Sequence, residues 1–401
     1  MGFIQFVLIF LWVADFFLWW LCAHALASKV RGGWRWALHG FFLAQILFMA
    51  VLYWGRFRTL SFWIPTTAFI VFYVWHLLVA PVAFVAGLLG LAGEGMGALI
   101  RFFRPKSEIL DSGDDGLSRR EFLGTLAAFV PPVLTFSLSA VAMRQLSRFR
   151  VRRLTVTLPT LPPELDGMTI VHLADLHLGP LVQESLLREV VAETNRLQPD
   201  LTVFAGDLIN SSLEMLPQGI EGMKAIRSPL VLCEGNHDVG PDRGAFDRAL
   251  KASGLRLLLN EAVTLRLRGV PVQILGIVWD GPRNWENRGQ EQNLADSVEE
   301  VLRLRDPEAF SILLAHHPHA WDYCGGMALT LSGHTHGGQF MLDSTHGFGP
   351  WMFRYWSGLY TRSAAPGHPA SALVVSNGVG NWFPLRAGAP AEIIHLTLRR
   401  G

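Results

Sequence analysis

Asp15 is the only acidic residue in the first 93 positions, and that scarcity constrains the fold more than any other feature of the chain. A water-soluble region of this length would need charge to cover its surface. Four apolar runs fill it instead, at about 3–26, 36–53, 62–91 and 122–143, each near or above the ~20 residues a spanning helix needs. Trp19, Trp20, Trp34, Trp36, Tyr53 and Trp54 cluster at their ends, as an aromatic belt would. The pattern predicts an all-α membrane region of about four transmembrane helices over residues 1–145, multi-pass in the inner membrane.

A polar linker, 105–116, separates the third run from the fourth, and Ser118-Arg119-Arg120-Glu121-Phe122-Leu123 follows it. That hexapeptide resembles a twin-arginine export signal, although it lies inside the chain. Lys and Arg divide almost evenly between the two sides of the four spans, so only this motif argues for an extracytoplasmic catalytic part. Asp15 falls in mid-span, and the sequence offers it no partner.

Past Leu154 the pattern becomes that of an α/β domain, 154–401. Residues 168–174, 201–205 and 230–233 are β-rich apolar runs, and 183–196 and 213–226 have helical spacing. The alternation predicts right-handed crossovers and parallel pairing. Runs at 263–267, 272–277, 311–314, 329–331, 372–375 and 393–398 predict a second, β-rich half. Cys22, Cys233 and Cys324 are isolated, so neither a disulfide framework nor a thiolate metal site is implied. A net charge of +1, without a basic helix interleaved with aromatics, gives nucleic acid no footing as a partner.

Five polar motifs lie in order along this domain: Asp175-Leu176-His177, Gly206-Asp207, Gly235-Asn236-His237-Asp238, His316, and Gly333-His334-Thr335-His336. The first three begin where a predicted buried strand stops, the place where α/β sheets gather functional groups. Mixed His, Asp and Asn ligands suit Mn, Fe or Zn. Two such ions can clamp and polarise a phosphoryl group and supply the attacking hydroxide. Asp207, central in the set, is the natural carboxylate to bridge them. His237 would face the substrate and protonate the leaving oxygen, with Asp238 orienting its ring. Gly206 and Gly333 would permit tight turns beside the ions.

In order and spacing these motifs resemble those of the calcineurin-like metallophosphoesterases, over about Leu154 to Arg399. The ending Gly333–Gln339 is similar to a bacterial membrane-associated branch, which includes transmembrane proteins with this domain and pyrophosphatases of UDP-2,3-diacylglucosamine. The resemblance implies a four-layer α-β-β-α sandwich. It implies a first divalent ion held by Asp175, His177, Asp207 and His336, and a second held by Asp207, Asn236, His316 and His334. His237 would be a general acid without a metal role. Among three neighbouring histidines the family pattern selects His316, leaving His317 and His319 outside the ligand set. Asn210 stands where relatives often carry an acidic residue.

The segment 348–360 is rich in aromatics and could meet a lipid interface. Arg386 could pair with a substrate phosphate or serve a structural salt bridge. The expectation is a membrane-anchored binuclear phosphoesterase acting on a phosphorylated lipid or envelope substrate. Its rivals are a cytoplasm-facing UDP-2,3-diacylglucosamine pyrophosphatase of lipid A synthesis and a catalytically silent metal-binding scaffold. Oligomeric state and metal identity are not encoded in these patterns.

Overall fold

Where the chain alternates apolar runs with amphipathic ones, it folds into strands and the helices that cover them. A computed structural model describes residues 3–26, 33–54, 64–103, 119–279, 287–366 and 369–401. It divides into two compact units, 1–143 and 144–401.

The first unit is helical: Phe3–Leu26, Gly33–Trp54, Thr66–Val74 continuing through a π turn, Trp75–Val79, into Ala80–Phe103, and the beginning of Arg119–Leu146. Among the described residues, three stretches, Gly33–Val51, Thr66–Met96 and Thr125–Leu146, are long and apolar enough to cross a membrane. In the first helix, Phe3–Leu26, the described apolar stretch is Ile9–His24. The linker 105–116 and Ser118, the start of the twin-arginine-like motif, lie outside the described residues.

Asp15 does have partners. Its carboxylate is buried, and accepts from Trp75 Nε1 (2.7 Å) while facing His76 Nε2 (2.9 Å). His76 Nδ1 in turn donates to the Phe72 carbonyl at 3.0 Å, one turn back along the same helix. The π turn begins at Trp75, so the wide turn carries both side chains that meet Asp15.

Among the described residues, the second unit contains twelve strands: β1 (Arg150–Leu158), β2 (Thr169–Leu173), β3 (Leu201–Ala205), β4 (Leu230–Cys233), β5 (Arg256–Leu257), β6 (Glu261–Leu267), β7 (Val270–Gly276), β8 (Phe310–Leu314), β9 (Leu329–Ser332), β10 (Gly358–Arg362), β11 (Ser371–Val375) and β12 (Glu392–Arg400). They form two six-stranded sheets, ordered β1-β12-β2-β3-β4-β5 and β10-β11-β9-β8-β7-β6. Strands β2 to β5 run parallel, as do β7, β8, β9 and β11; the antiparallel pairs are β12 with β2, β6 with β7 and β10 with β11.

Alternation along the strands sorts their side chains by face. Ile170, Val203, Val231, Ile274, Ile312, Leu331, Val374 and Leu396 form one core between the sheets. Their neighbours Leu275, Leu313 and Leu373 pack on the other side of the second sheet, with Val298, Val301 and Trp321. Helix Glu184–Leu197 buries Leu186, Leu187, Val190 and Val191. The result is the layered α/β sandwich that the resemblance implied.

Candidate metal centre

The polar motifs leave the ends of strands from both sheets. Asp175 and His177 follow β2, Asp207 follows β3, Asn236 and His237 follow β4, His316 follows β8, and His334 and His336 follow β9. Parallel strands put these ends on one edge of each sheet. There the backbone turns hard: φ is 53° at Asp175, 54° at His177, 61° at Asp207, 74° at His334 and 49° at His336. Each left-handed non-glycine residue costs about 1–2 kcal/mol. Bonds between the turns offset part of it, with the Asp175 and His177 amides donating to the Gly206 and Asp207 carbonyls at 2.9 Å. Gly206 is itself left-handed at φ 85°, and a Cβ there would lie 2.7 Å from His316 Nδ1. Gly333 serves differently: its backbone is not left-handed, but a Cβ would stand 2.7 Å from that of Ala174.

The side chains converge. Asp207 Oδ2 lies 3.5 Å from His177 Nε2 and 3.3 Å from His316 Nε2. On one side of it, His336 Nε2 is 3.0 Å from His177 Nε2 and 3.6 Å from Asp175 Oδ1. On the other, Asn236 Oδ1 is 3.1 Å from His316 Nε2 and 2.9 Å from His334 Nδ1. Donor atoms bound at ~2.1 Å to one ion stand about 3.0 Å apart in an octahedral shell and about 3.4 Å in a tetrahedral one. The observed spacings match those edges. Asp175, His177 and His336 could hold a metal ion, as could Asp175, Asp207 and His316. So could His177, Asp207 and His237, a grouping that brings in a histidine to which the resemblance gave no metal role.

Burial and the neighbouring carboxylates set the charge of each group in the cluster. Burial, with Asp207 beside it, pushes the Asp175 carboxyl up to about 7. Burial lowers His334 to about 3, and holds His177 and His336 well below their ordinary value, so these rings are neutral and keep a lone pair. At His316 burial opposes the charged ring, but the Asp207 and Asp175 carboxylates outweigh it and raise it to about 9. His316 Nδ1 donates to the Ala205 carbonyl at 2.6 Å, aiming Nε2 at the cluster, an arrangement common in histidines that bind metals.

Two expected roles change. Asp238 does not touch the His237 ring. Its carboxylate accepts four backbone N–H groups, from Asp207 (2.8 Å), Leu208 (2.9 Å), Ile209 (3.1 Å) and Gly235 (2.9 Å), and so ties two motif loops together. Burial, with Asp207 adding to it, pushes this carboxyl up to about 8, against the pull of those donors. Asp238→Asn would turn an amide N–H against one pair of them, and should lower stability by about 2 kcal/mol in a denaturant titration. The His237 ring is oriented instead by a backbone group: Nδ1 donates to the Asn210 carbonyl at 2.5 Å.

Arg386 is buried, and among the described residues it forms no ion pair. Its guanidinium donates to the carbonyls of His336, Asn377, Gly380 and Ala389 and to Asn381 Oδ1, and one of its nitrogens stands 2.9 Å from His336 Nδ1. Its N–H groups are thus turned to the protein's own acceptors. Burial lowers it to about 10, still cationic at neutral pH. Arg386→Met would strand these acceptors and should cost about 3 kcal/mol, read by thermal melting of the full chain.

Trp279 is a site residue that the motifs did not reveal. Its ring stands 4.9 Å from His334, 5.4 Å from His316 and 5.6 Å from His317. Its amide donates to Glu234 Oε1 at 2.7 Å, and that carboxylate also pairs with Arg243. The available signal was positional, since Trp279 follows β7 as the ligands follow β8 and β9. His317 and His319 lie beside the donor set, with the His319 amide donating to His317 Nδ1 (3.2 Å).

The profile of calcineurin-like phosphoesterases matches residues 168–338. An uncharacterized metallophosphoesterase of Bacillus subtilis, YkuE, is 30% identical over 297 residues, 71% of this chain and 98% of that one. The chain belongs to the calcineurin-like phosphoesterase family. An uncharacterized metallophosphoesterase of Helicobacter pylori is 30% identical over 63% of this chain and 65% of its own length. A Danio rerio protein named "transmembrane protein with metallophosphoesterase domain" is 31% identical over 60% of this chain and 55% of its own. The match thus spans less than two thirds of these last two relatives. With its three candidate spans, this phosphoesterase-family chain has the character of a membrane-associated protein.

Proposed function

We propose that this chain is a membrane-anchored hydrolase of phosphodiester or pyrophosphate bonds that works with two divalent ions, Mn, Fe or Zn. One observation carries the reading: Asp207 Oδ2 sits between two groups of inward-facing donors, within 3.5 Å of an imidazole in each. Asp175, His177, Asp207 and His336 would hold one ion; Asp207, Asn236, His316 and His334 the other. Bound there, the ions would polarise the phosphoryl oxygens and lower the pKa of water.

The chain's own groups do the rest. His237, with Nδ1 committed to the Asn210 carbonyl, turns Nε2 to the leaving oxygen as proton donor. Asp238 fixes the loops that carry Asp207 and His237, and Trp279 covers the outer face of His334 and His316. The substrate is a phosphorylated lipid or envelope molecule, reached from the extracytoplasmic face of the inner membrane.

The test is hydrolysis of bis(p-nitrophenyl) phosphate by the full chain in nanodiscs, with Mn, Fe or Zn added after chelation. Turnover that needs the metal supports the reading. Metal uptake without turnover for all three ions would leave a silent scaffold. Protease treatment of spheroplasts bearing a tag after Gly401 decides the side. A protected tag would move the site to the cytoplasm and favour UDP-2,3-diacylglucosamine as substrate.

A further inference from the structure

Leu342, Phe348, Trp351 and Met352 are large apolar side chains with 92%, 49%, 80% and 60% of their surface exposed. They occupy one loop and one short helix, Phe348–Met352. A cluster of this kind on a folded surface marks a place where something binds.

The exposure is built into the backbone. The Leu342 amide donates to the His346 carbonyl (2.8 Å), the Phe348 amide to Phe340 (3.0 Å) and the Phe353 amide to Gly349 (2.8 Å). The acidic group at the tip is exposed but bonded within its own loop. Asp343 Oδ1 accepts from the Thr345 amide (2.7 Å), the Thr345 hydroxyl (2.8 Å) and the His346 amide (2.8 Å), and Oδ2 faces His346 Nδ1 at 2.8 Å. A carboxylate so engaged costs less to bring to an apolar boundary.

Two connections identify the occupant. First, ring contacts run from the cluster to the donor set: Trp351 to Phe348 (6.0 Å), Phe348 to Phe340 (5.9 Å), Phe340 to Phe383 (5.7 Å), Phe383 to Trp382 (5.9 Å) and Trp382 to His336 (6.3 Å). Second, the cluster is linked by hydrogen bonds to residues at the start of its own unit. Gln145 lies in the last turn of Arg119–Leu146, and its side-chain amide both donates to and accepts from the Arg386 backbone at 3.0 Å. The next residue, Ala387, accepts from the Met341 amide at 2.7 Å, beside Leu342. Arg144 and Arg148, exposed at that helix end, add positive charge suited to anionic headgroups. A patch of Trp, Phe, Leu and Met in a unit that also exposes basic residues has the composition of a lipid-interface anchor.

We infer that the Leu342–Phe348–Trp351–Met352 patch inserts into the lipid surface and presents the donor cluster to phosphoesters held in that surface. The presentation part rests on the phosphoesterase reading; the insertion part does not.

Full-length protein in phosphatidylethanolamine/phosphatidylglycerol nanodiscs tests both. The native cysteines are buried, so a Leu342→Cys variant can carry an environment-sensitive NBD label, with Leu304→Cys, an exposed leucine elsewhere, as control. Doxyl-labelled phosphatidylcholine should quench the label at 342 and spare the one at 304. A water-like, unquenched label at 342 overturns the inference. A blue-shifted label that doxyl lipid fails to quench also overturns it, because protein, such as a second copy of the chain, would then cover the patch.

The double variant Leu342→Glu, Trp351→Glu should lose roughly tenfold of its rate on hexadecyl p-nitrophenyl phosphate in vesicles. Its rate on soluble bis(p-nitrophenyl) phosphate should stay unchanged. Equal loss on both substrates overturns presentation. Absence of turnover by the unsubstituted chain would strike the phosphoesterase reading alone, with the quenching result standing by itself.

Discussion

Asp207→Asn is expected to lower metal-dependent phosphodiester hydrolysis roughly 10³-fold, about 4 kcal/mol of barrier, with the chain still folded. The substitution keeps shape and removes charge. Asp207 Oδ1 accepts from the His237 amide at 2.8 Å, a bond an asparagine carbonyl can retain. Its NH2 would then occupy the place of Oδ2, directed at the His177 and His316 nitrogens 3.5 and 3.3 Å away. The neutral His177 ring offers a lone pair to a metal, and an amide N–H would compete for it. The buried cluster would also lose the carboxylate that draws His316 toward its charged form. Metal content by mass spectrometry should fall along with turnover. A variant that kept both full metal content and full rate would show that Asp207 does not join the two donor groups.

His237→Asn should act on rate and spare the metal. General acid catalysis is worth about 10²–10⁴-fold. The loss should be large for an alkyl leaving group and small for p-nitrophenolate, which departs without a proton. Measuring both esters separates proton donation from mere positioning, since a misplaced phosphorus would slow them alike. The ring's orientation depends on the Asn210 carbonyl, so substitution of the Asn210 side chain should change little. Equal losses on the two esters, or loss of metal from the variant, would remove His237 from the acid role and favour its grouping with His177 and Asp207 as a ligand.

The parts of this architecture legible in sequence are those where burial imposes a simple pattern. β3 and β4, buried in a parallel sheet, are continuous apolar runs, and their ends fall on the residues expected. β1 was not evident, because Arg150, Arg152 and Arg153 break its apolar pattern in a strand whose outer edge is unpaired. The helix Asn236–Ser253 was hidden by Gly240, Pro241 and Gly244, and its backbone does leave helical angles at Asp242.

At the site, side-chain identity was readable and backbone conformation was not. Nothing in Asp-Leu-His announces that both ligands take left-handed angles. The motif spacing located Asp238 beside His237, yet consecutive residues on a helix point in different directions, and the carboxylate turned to the backbone of the neighbouring loop. Arg386 escaped for a related reason: its partners are mostly carbonyl oxygens, which every residue has.

The Asp15 cluster bears on how the protein is made. A helix with an aspartate near its middle enters a bilayer at a cost of roughly 3 kcal/mol. The Trp75 indole, which donates to this aspartate, and the His76 imidazole facing it emerge from the ribosome about sixty residues later. The buried carboxylate of helix Phe3–Leu26 therefore gains its partners only after the third apolar stretch has been made. The π turn at Trp75–Val79 then doubles as a latch, tying the first helix to a residue pair far downstream of it.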